Sequence, residues 1–330
     1  MMVKSINSSP NIWLRRFSKV NVFFTLCLIF MGALVKSHEV GLSVPDWPTT
    51  YGKNMFAFPL SDMVGGIFYE HGHRLVATVV GFFTMVQAMW LGISGAPDWL
   101  KKCGYISLLL VLVQGLFGGI TVLFFLPKFV SIIHGILAQT FFMIMILIAY
   151  GLSIERSDRS YGGVSRNIRQ GALLIVGLVY LQLVLGAIVR HTASGMAIPD
   201  FPTMGGMWAP IFSDIMINNV NDMLFEMDLD MVNRGQVILH FIHRLVATVI
   251  TCVVVYMFYS YRSIVNDNHI INRNLLWIVG IVLAQFTLGV ATVLSERLPY
   301  VASLHVVTGA ALLGTCTLFL LRCYPVKGSD

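Results

Sequence analysis

The chain has 330 residues, of which 56% are hydrophobic and only 12% charged. A water-soluble domain carries about twice that share of charge, so a soluble globular fold is excluded. The net charge of +6 at pH 7 would suit an acidic partner such as nucleic acid, but the placement of the basic residues points to membrane orientation instead.

Apolar stretches follow one another near residues 20–38, 68–94, 104–126, 129–152, 170–191, 236–261, 274–295 and 299–322. About 20 such residues cross a bilayer as a helix, and in lipid only helices and closed barrels satisfy the backbone. The expected class is an all-α integral membrane protein with eight transmembrane helices. Arg15, Arg16 and Lys19 precede the first span as they would in a signal peptide. No small-residue cleavage site follows, and the outer end of this span carries a motif repeated later, so the span is expected to be retained. With the N-terminus inside, the inner segments hold Lys4, Arg15, Arg16, Lys19, Lys101, Lys102, Arg156, Arg159, Arg166, Arg169, Arg262, Arg273, Arg322 and Lys327. The outer segments hold only Lys53, Lys128, Arg234 and Arg297. This bias places both termini in the cytoplasm and leaves no basic patch for nucleic acid. The cysteines, Cys27, Cys103, Cys252, Cys316 and Cys323, lie in or beside spans. No outer-face disulfide is expected, and with no CxxC pair neither a zinc site nor a covalently attached heme is expected.

The chain repeats itself. Gly32-Ala33-Leu34-Val35-Lys36 pairs with Gly186-Ala187-Ile188-Val189-Arg190, and Val44-Pro45-Asp46-Trp47-Pro48-Thr49 with Ile198-Pro199-Asp200-Phe201-Pro202-Thr203. His73-Arg74-Leu75-Val76-Ala77-Thr78-Val79 recurs letter for letter from His243 to Val249. Gln114 and Gly118 match Gln285 and Gly289, and His134 matches His305. Two four-span repeats (1–152 and 170–330) joined by a basic inner linker (153–169) are expected. An even number of spans gives both repeats one orientation, so two four-helix bundles should be related by a pseudo-twofold axis along the membrane normal. The added length in the second half falls in the outer loop 192–235, whose acidic residues read as a solvated, partly ordered loop. The two Pro-Asp-(Trp/Phe)-Pro segments read as tight turns folded back over each half, with Asp46 and Asp200 as caps.

Of the nine histidines, His73, His134, His243 and His305 recur at matched positions, one in the second and one in the fourth span of each repeat. All four stand near the outer ends of their spans, so each pair can face across its bundle. Intramembrane histidines are costly and usually functional, and two facing imidazoles suit the axial positions of a heme iron. Arg74 and Arg244 follow ligand candidates and are placed to pair with heme propionates. Lys36 and Arg190 end their spans, where snorkelling to headgroups and propionate pairing both remain open. Gln114, Gln182 and Gln285 read equally as interhelical hydrogen bonds or as a cofactor wall.

The repeat breaks at one position of consequence: Glu70 stands where the second half has His240. Glu70 and His73 share a helix face, which puts a carboxylate beside one heme only. Such a group can take a proton, position water or stabilise developing positive charge.

Taken together, these motifs resemble the heme A synthase family over residues 20–320. The matching elements are Gly41-Leu42-Ser43-Val44-Pro45-Asp46-Trp47-Pro48, Glu70-x-x-His73-Arg74, Gln114-Gly115-x-x-Gly118 and His134, with their counterparts in the second half. The resemblance implies oxidation of a ring methyl of heme O to a formyl group, giving heme A for aa3-type terminal oxidases. It implies substrate heme O held by His73, His134 and Arg74, with Glu70 as catalytic carboxylate. It implies heme b as cofactor on His243, His305 and Arg244, and iron at the four histidines. Heme O delivered by heme O synthase, an unassigned electron acceptor, a homo-oligomer and a bacterial inner-membrane location also belong to this picture. A diheme b-type electron-transfer cytochrome is the alternative. Some family members carry a cysteine just before Pro-Asp-Trp; Val44 and Ile198 stand there.

Overall fold

The computed structural model describes residues 11–157, 164–262 and 268–324. The described helices are α1 (Ile12–Ser37), α2 (Gly66–Ile93), α3 (Asp98–Leu123), α4 (Lys128–Gly151), α5 (Ile154–Ser157), α6 (Arg166–His191), α7 (Asp214–Glu226), α8 (Arg234–Tyr261), α9 (His269–Leu294) and α10 (Pro299–Cys323). All but α5 and α7 are long and apolar enough to cross a membrane, eight in total. They correspond one to one with the expected spans. The starts of α1 and α3 fall earlier than residues 20 and 104, because an apolar window marks the hydrocarbon while the helix runs on to its cap. Asn11 supplies that cap for α1, its side chain accepting from Trp13 N at 2.9 Å.

Within the first half, α1 packs on α2, α2 on α3, α3 on α4, and α4 back on α1. The second half closes in the same way through α6, α8, α9 and α10. Between halves, α4 meets α10, α1 meets α10, and α6 meets α4. Exchanging the halves turns this set of contacts into itself, as a pseudo-twofold along the membrane normal requires. Phe142 of α4 fills the space left at Gly314 of α10, where an added Cβ would sit 2.8 Å from a ring carbon. None of the five cysteines, all among the described residues, forms a disulfide.

The two cores differ in chemistry. In the first half Asn21, Thr84 and Gln87 are fully buried. Asn21 Nδ2 donates to Thr84 Oγ1 at 3.4 Å and to Gln87 Oε1 at 3.3 Å. At the repeat offset the second half has Ile175, Val254 and Met257, all in its apolar core. Buried Ser18, Thr25, Ser107 and Gln139 likewise face Ala172, Val179, Ile278 and Ala310 across the repeat. The second core is held by apolar packing, whereas the first adds a hydrogen-bonded layer in its inner part.

The loop 192–235 corrects the expectation of a solvated, partly ordered segment. It contains α7, whose Met216, Val220 and Leu224 are buried against Met196, Ala197, Ile198, Val232 and Val237. These three recur every four residues and so line one face. The Ser213 hydroxyl caps the helix, accepting from Met216 N at 3.3 Å. The first half has no such cover: its outer loop carries only the short 3-10 turns Met55–Ala57 and Leu60–Asp62.

The seam between halves is testable at Gly314. Gly314→Val forces a side chain into the Phe142 ring and is expected to destabilise the detergent-solubilised protein by about 1–3 kcal/mol. The readout is a lowered thermal midpoint; an unchanged midpoint would contradict the packing.

Candidate functional site

In each half the ligand candidates sit on diagonally opposed helices. His73 is on α2 and His134 on α4; His243 is on α8 and His305 on α10. The other two helices present glycines to them. An added Cβ at Gly32 of α1 would lie 3.0 Å from His73 Cε1, and one at Gly118 of α3 would lie 3.7 Å from His134 Cε1. Gly186 of α6 and Gly289 of α9 stand 3.3 Å and 3.2 Å from the corresponding atoms of His243 and His305 by the same measure. Each imidazole therefore rests against a glycine; a methyl group at Gly32, Gly186 or Gly289 would press on the ring, whereas at Gly118 it would make ordinary contact. The repeated glycines act here at single atoms.

All four rings have a buried Nδ1 without a hydrogen-bond partner. Leaving one such nitrogen unpaired is costly, and leaving four at matched positions points to a ligand. Among the described residues no three His, Cys, Asp or Glu side chains group as ligands of a metal ion. Two imidazoles on opposed helices, each against a glycine, suit a metal whose remaining ligands come with a flat macrocycle, so the donor set fits heme.

The glutamines lie one turn inward of the flooring glycines on the same helix faces. Gln114 Nε2 donates to the His134 carbonyl at 3.1 Å, and Gln182 Nε2 to the His243 carbonyl at 3.0 Å. Gln285 Nε2 stands 3.5 Å from His305 Nε2. These contacts tie three of the four histidine helices to their glycine helices; α1 has Leu28 at the corresponding position, so His73 has no such partner.

Above the histidines, the outer turns are clamped down by arginine. Arg74 NH2 donates to the Val44 carbonyl and to Glu70 Oε1, both at 2.7 Å, and its NH1 to the Asp46 and Thr49 carbonyls at 2.7 and 3.1 Å. Arg244 repeats the pattern with the Ile198, Asp200 and Thr203 carbonyls at 2.7, 3.0 and 3.5 Å. The terminal nitrogens of both thus bind loop backbone. That partner is invisible in a sequence, which shows only that an arginine follows a histidine. Asp46 and Asp200 close the turns as expected. Asp46 accepts from Tyr51 N at 2.8 Å and Gly52 N at 2.9 Å. Asp200 accepts from Gly205 N at 2.7 Å and Gly206 N at 2.9 Å. Burial opposes ionisation of both carboxyls, but these bonds and those from Thr49 and Thr203 outweigh it and hold them below the usual range.

Glu70 is buried, with 3% of its surface exposed. Its Oε2 accepts from Val44 N at 2.8 Å while Oε1 pairs with Arg74. His240 occupies the same station. Its Nδ1 accepts from Ile198 N at 3.2 Å, and its Nε2 faces Arg244 Nε at 3.3 Å. Both residues therefore latch the turn to the helix as hydrogen-bond acceptors, and only Glu70 adds a carboxylate. Val44 and Ile198 are the donors of these latches, and their side chains are fully buried. His71 is structural: its Nδ1 lies 3.0 Å from Thr50 Oγ1, and its ring packs on Phe58. His38 caps α1 and stacks on Tyr69 with ring centroids 4.3 Å apart, with Tyr300 of α10 edge-on to it. This aromatic cluster joins the outer ends of the two halves.

Comparison with known proteins agrees with this geometry. The chain is similar to the heme A synthase of Halalkalibacterium halodurans, with 24% identity over 95% of this chain and 96% of that protein. It is 27% identical to the heme A synthase of Shewanella oneidensis over 91% of this chain and 92% of the relative. It is 25% identical to that of Staphylococcus saprophyticus over 92% and 96%. A family model described as cytochrome oxidase assembly protein matches residues 15–317, and with nearly the whole chain so matched this protein belongs to that family.

Proposed function

We propose that this protein is a heme A synthase, a multi-pass membrane oxidoreductase that converts a ring methyl of heme O to the formyl group of heme A. The observation that carries the reading is a duplicated pair of histidines over glycine, built twice with one chemical difference, Glu70 in place of His240. In this reading residues 1–152 form the substrate half, where His73 and His134 hold heme O. Residues 170–330 form the relay half, where His243 and His305 hold a resident heme b that passes electrons. Bound heme supplies the iron and the redox capacity.

The chain's own residues do the rest. The four imidazoles serve as iron ligands, and the flooring glycines keep them upright. Arg74 and Arg244 hold the outer turns as roofs over the two clefts. These roofs limit water at the reacting carbon. Glu70 sits under the roof of the substrate half with both oxygens hydrogen-bonded, ready to accept or return a proton at Oε1 or Oε2 beside the substrate. The basic-residue bias supports an inner-membrane orientation with both termini in the cytoplasm. That orientation puts both clefts near the outer face, where α7 seals the relay half and leaves the substrate half under a shorter loop. Heme O synthase is the natural source of the substrate.

Two outcomes test this. Glu70→Gln keeps the shape of the latch and removes the charge. It should retain heme but slow heme A formation by about 100-fold or more; mass analysis of extracted hemes measures this, and wild-type heme A levels would remove Glu70 from the chemistry. Gly32→Leu drives a side chain into the His73 ring. It should lower heme content in the substrate half and leave the relay heme bound; equal loss from both halves would contradict two separate clefts.

A further inference from the structure

In each half, the glycine that floors a histidine is followed one helical turn later by a cation: Gly32 by Lys36 on α1, and Gly186 by Arg190 on α6. Residues four apart share a helix face. Each cation therefore stands about 6 Å nearer the outer surface than the glycine. Arg190 NH2 donates to the Ala33 carbonyl at 2.6 Å and to Ser37 Oγ at 2.9 Å. Ser303, two residues before His305 on α10, donates in turn to Ser37 Oγ at 2.9 Å. The guanidinium is thereby pinned where α1, α6 and α10 converge.

Among the described residues, the ion pairs involve Lys53, Arg74, Arg234 and Arg322, and neither Lys36 nor Arg190 joins one. A cation at membrane depth calls for a counter-charge. Arg74 and Arg244, the cations next to the ligand histidines in sequence, have their terminal nitrogens bound to loop carbonyls.

We propose that Arg190 and Lys36 each anchor a propionate carboxylate of the heme in their own half, and that the difference between them sets how firmly each heme is kept. A guanidinium grips a carboxylate through two parallel hydrogen bonds in a fixed plane, whereas an ammonium on a flexible stem is a point charge that lets go more readily. Arginine thus stands in the half that retains its heme, and lysine in the half that must exchange heme O for heme A. The proposal rests on the assignment of substrate and relay halves given above.

The test uses the full-length protein loaded with heme, with release followed spectroscopically as transfer to apomyoglobin. His243→Ala first identifies the signal of the relay half. Arg190→Lys should speed release of that heme by about tenfold, and Lys36→Arg should slow release from the substrate half by a similar factor. Both exchanges preserve charge. Arg190→Leu should in addition lower the midpoint potential of the relay heme, since loss of a nearby positive charge favours the ferric state. If the cations only reach lipid headgroups, release rates and potential stay at wild-type values, and the proposal is overturned. If His243→Ala loses no heme, the two-heme reading falls first and this proposal with it; normal loss there with unchanged release from Arg190→Lys overturns this proposal alone.

Discussion

A buried imidazole nitrogen that bonds to nothing in its own chain is an expensive group at membrane depth. Among the described residues such nitrogens stand at four matched positions of the repeat, the Nδ1 atoms of His73, His134, His243 and His305. Much of the outer half of the molecule is arranged around that fact. The diagonal helices bring each pair together, the glycines of the intervening helices stand against the rings, and the glutamines one turn inward tie three of the four histidine helices to their glycine helices. The arginine clamps and aspartate-closed turns then roof the two clefts. In the reading proposed above, a heme in each half would find an imidazole from each of the two diagonal helices as ligands for its iron.

The duplication works as an internal control. In the reading proposed above, features common to both halves serve a task the halves share. Features confined to one half serve what that half alone does. The shared set includes the latch between helix and outer turn, since Glu70 and His240 accept a hydrogen bond from the same loop position. A neutral histidine meets that structural need in the second half, so acceptance of a hydrogen bond does not by itself require a carboxylate in the first. The surplus at Glu70 is its charge and its capacity for a proton. Asymmetry elsewhere points the same way. The first half has a buried polar layer around Asn21 and Gln87 and a short outer loop. The second has an apolar core and a helical cover in α7. One half is built tight and closed, and the other keeps polar groups inside and a lighter lid.

The spans and the repeated placement of His73, His134, His243 and His305 were legible in the sequence because each depends on composition or spacing along one chain. Trp47 against Phe201 shows where such legibility ends. The indole lies on Gly119, where an added Cβ would come within 2.7 Å of it, while the smaller Phe201 ring meets Phe286 of α9 edge-on. The substitution is visible in the repeat, but its compensation depends on contacts between distant segments. The roles of Arg74 and Arg244 were hidden for a related reason, since their partners are backbone carbonyls. Helix α7 was obscured because its three buried residues, Met216, Val220 and Leu224, are spread one per turn among exposed apolar and polar residues. Arg190 was ambiguous in sequence, and the contacts to Ala33 and Ser37 gave it a fixed address.

The central claim is that two equivalent clefts hold hemes and that only the first performs chemistry. The most direct measurement is the identity and amount of heme extracted from purified His73→Ala and His243→Ala proteins produced with a heme O source. The account predicts that His73→Ala retains heme b and contains neither heme O nor heme A, while His243→Ala loses heme b and still carries heme O. The opposite assignment, or loss of every heme in both variants, would contradict it.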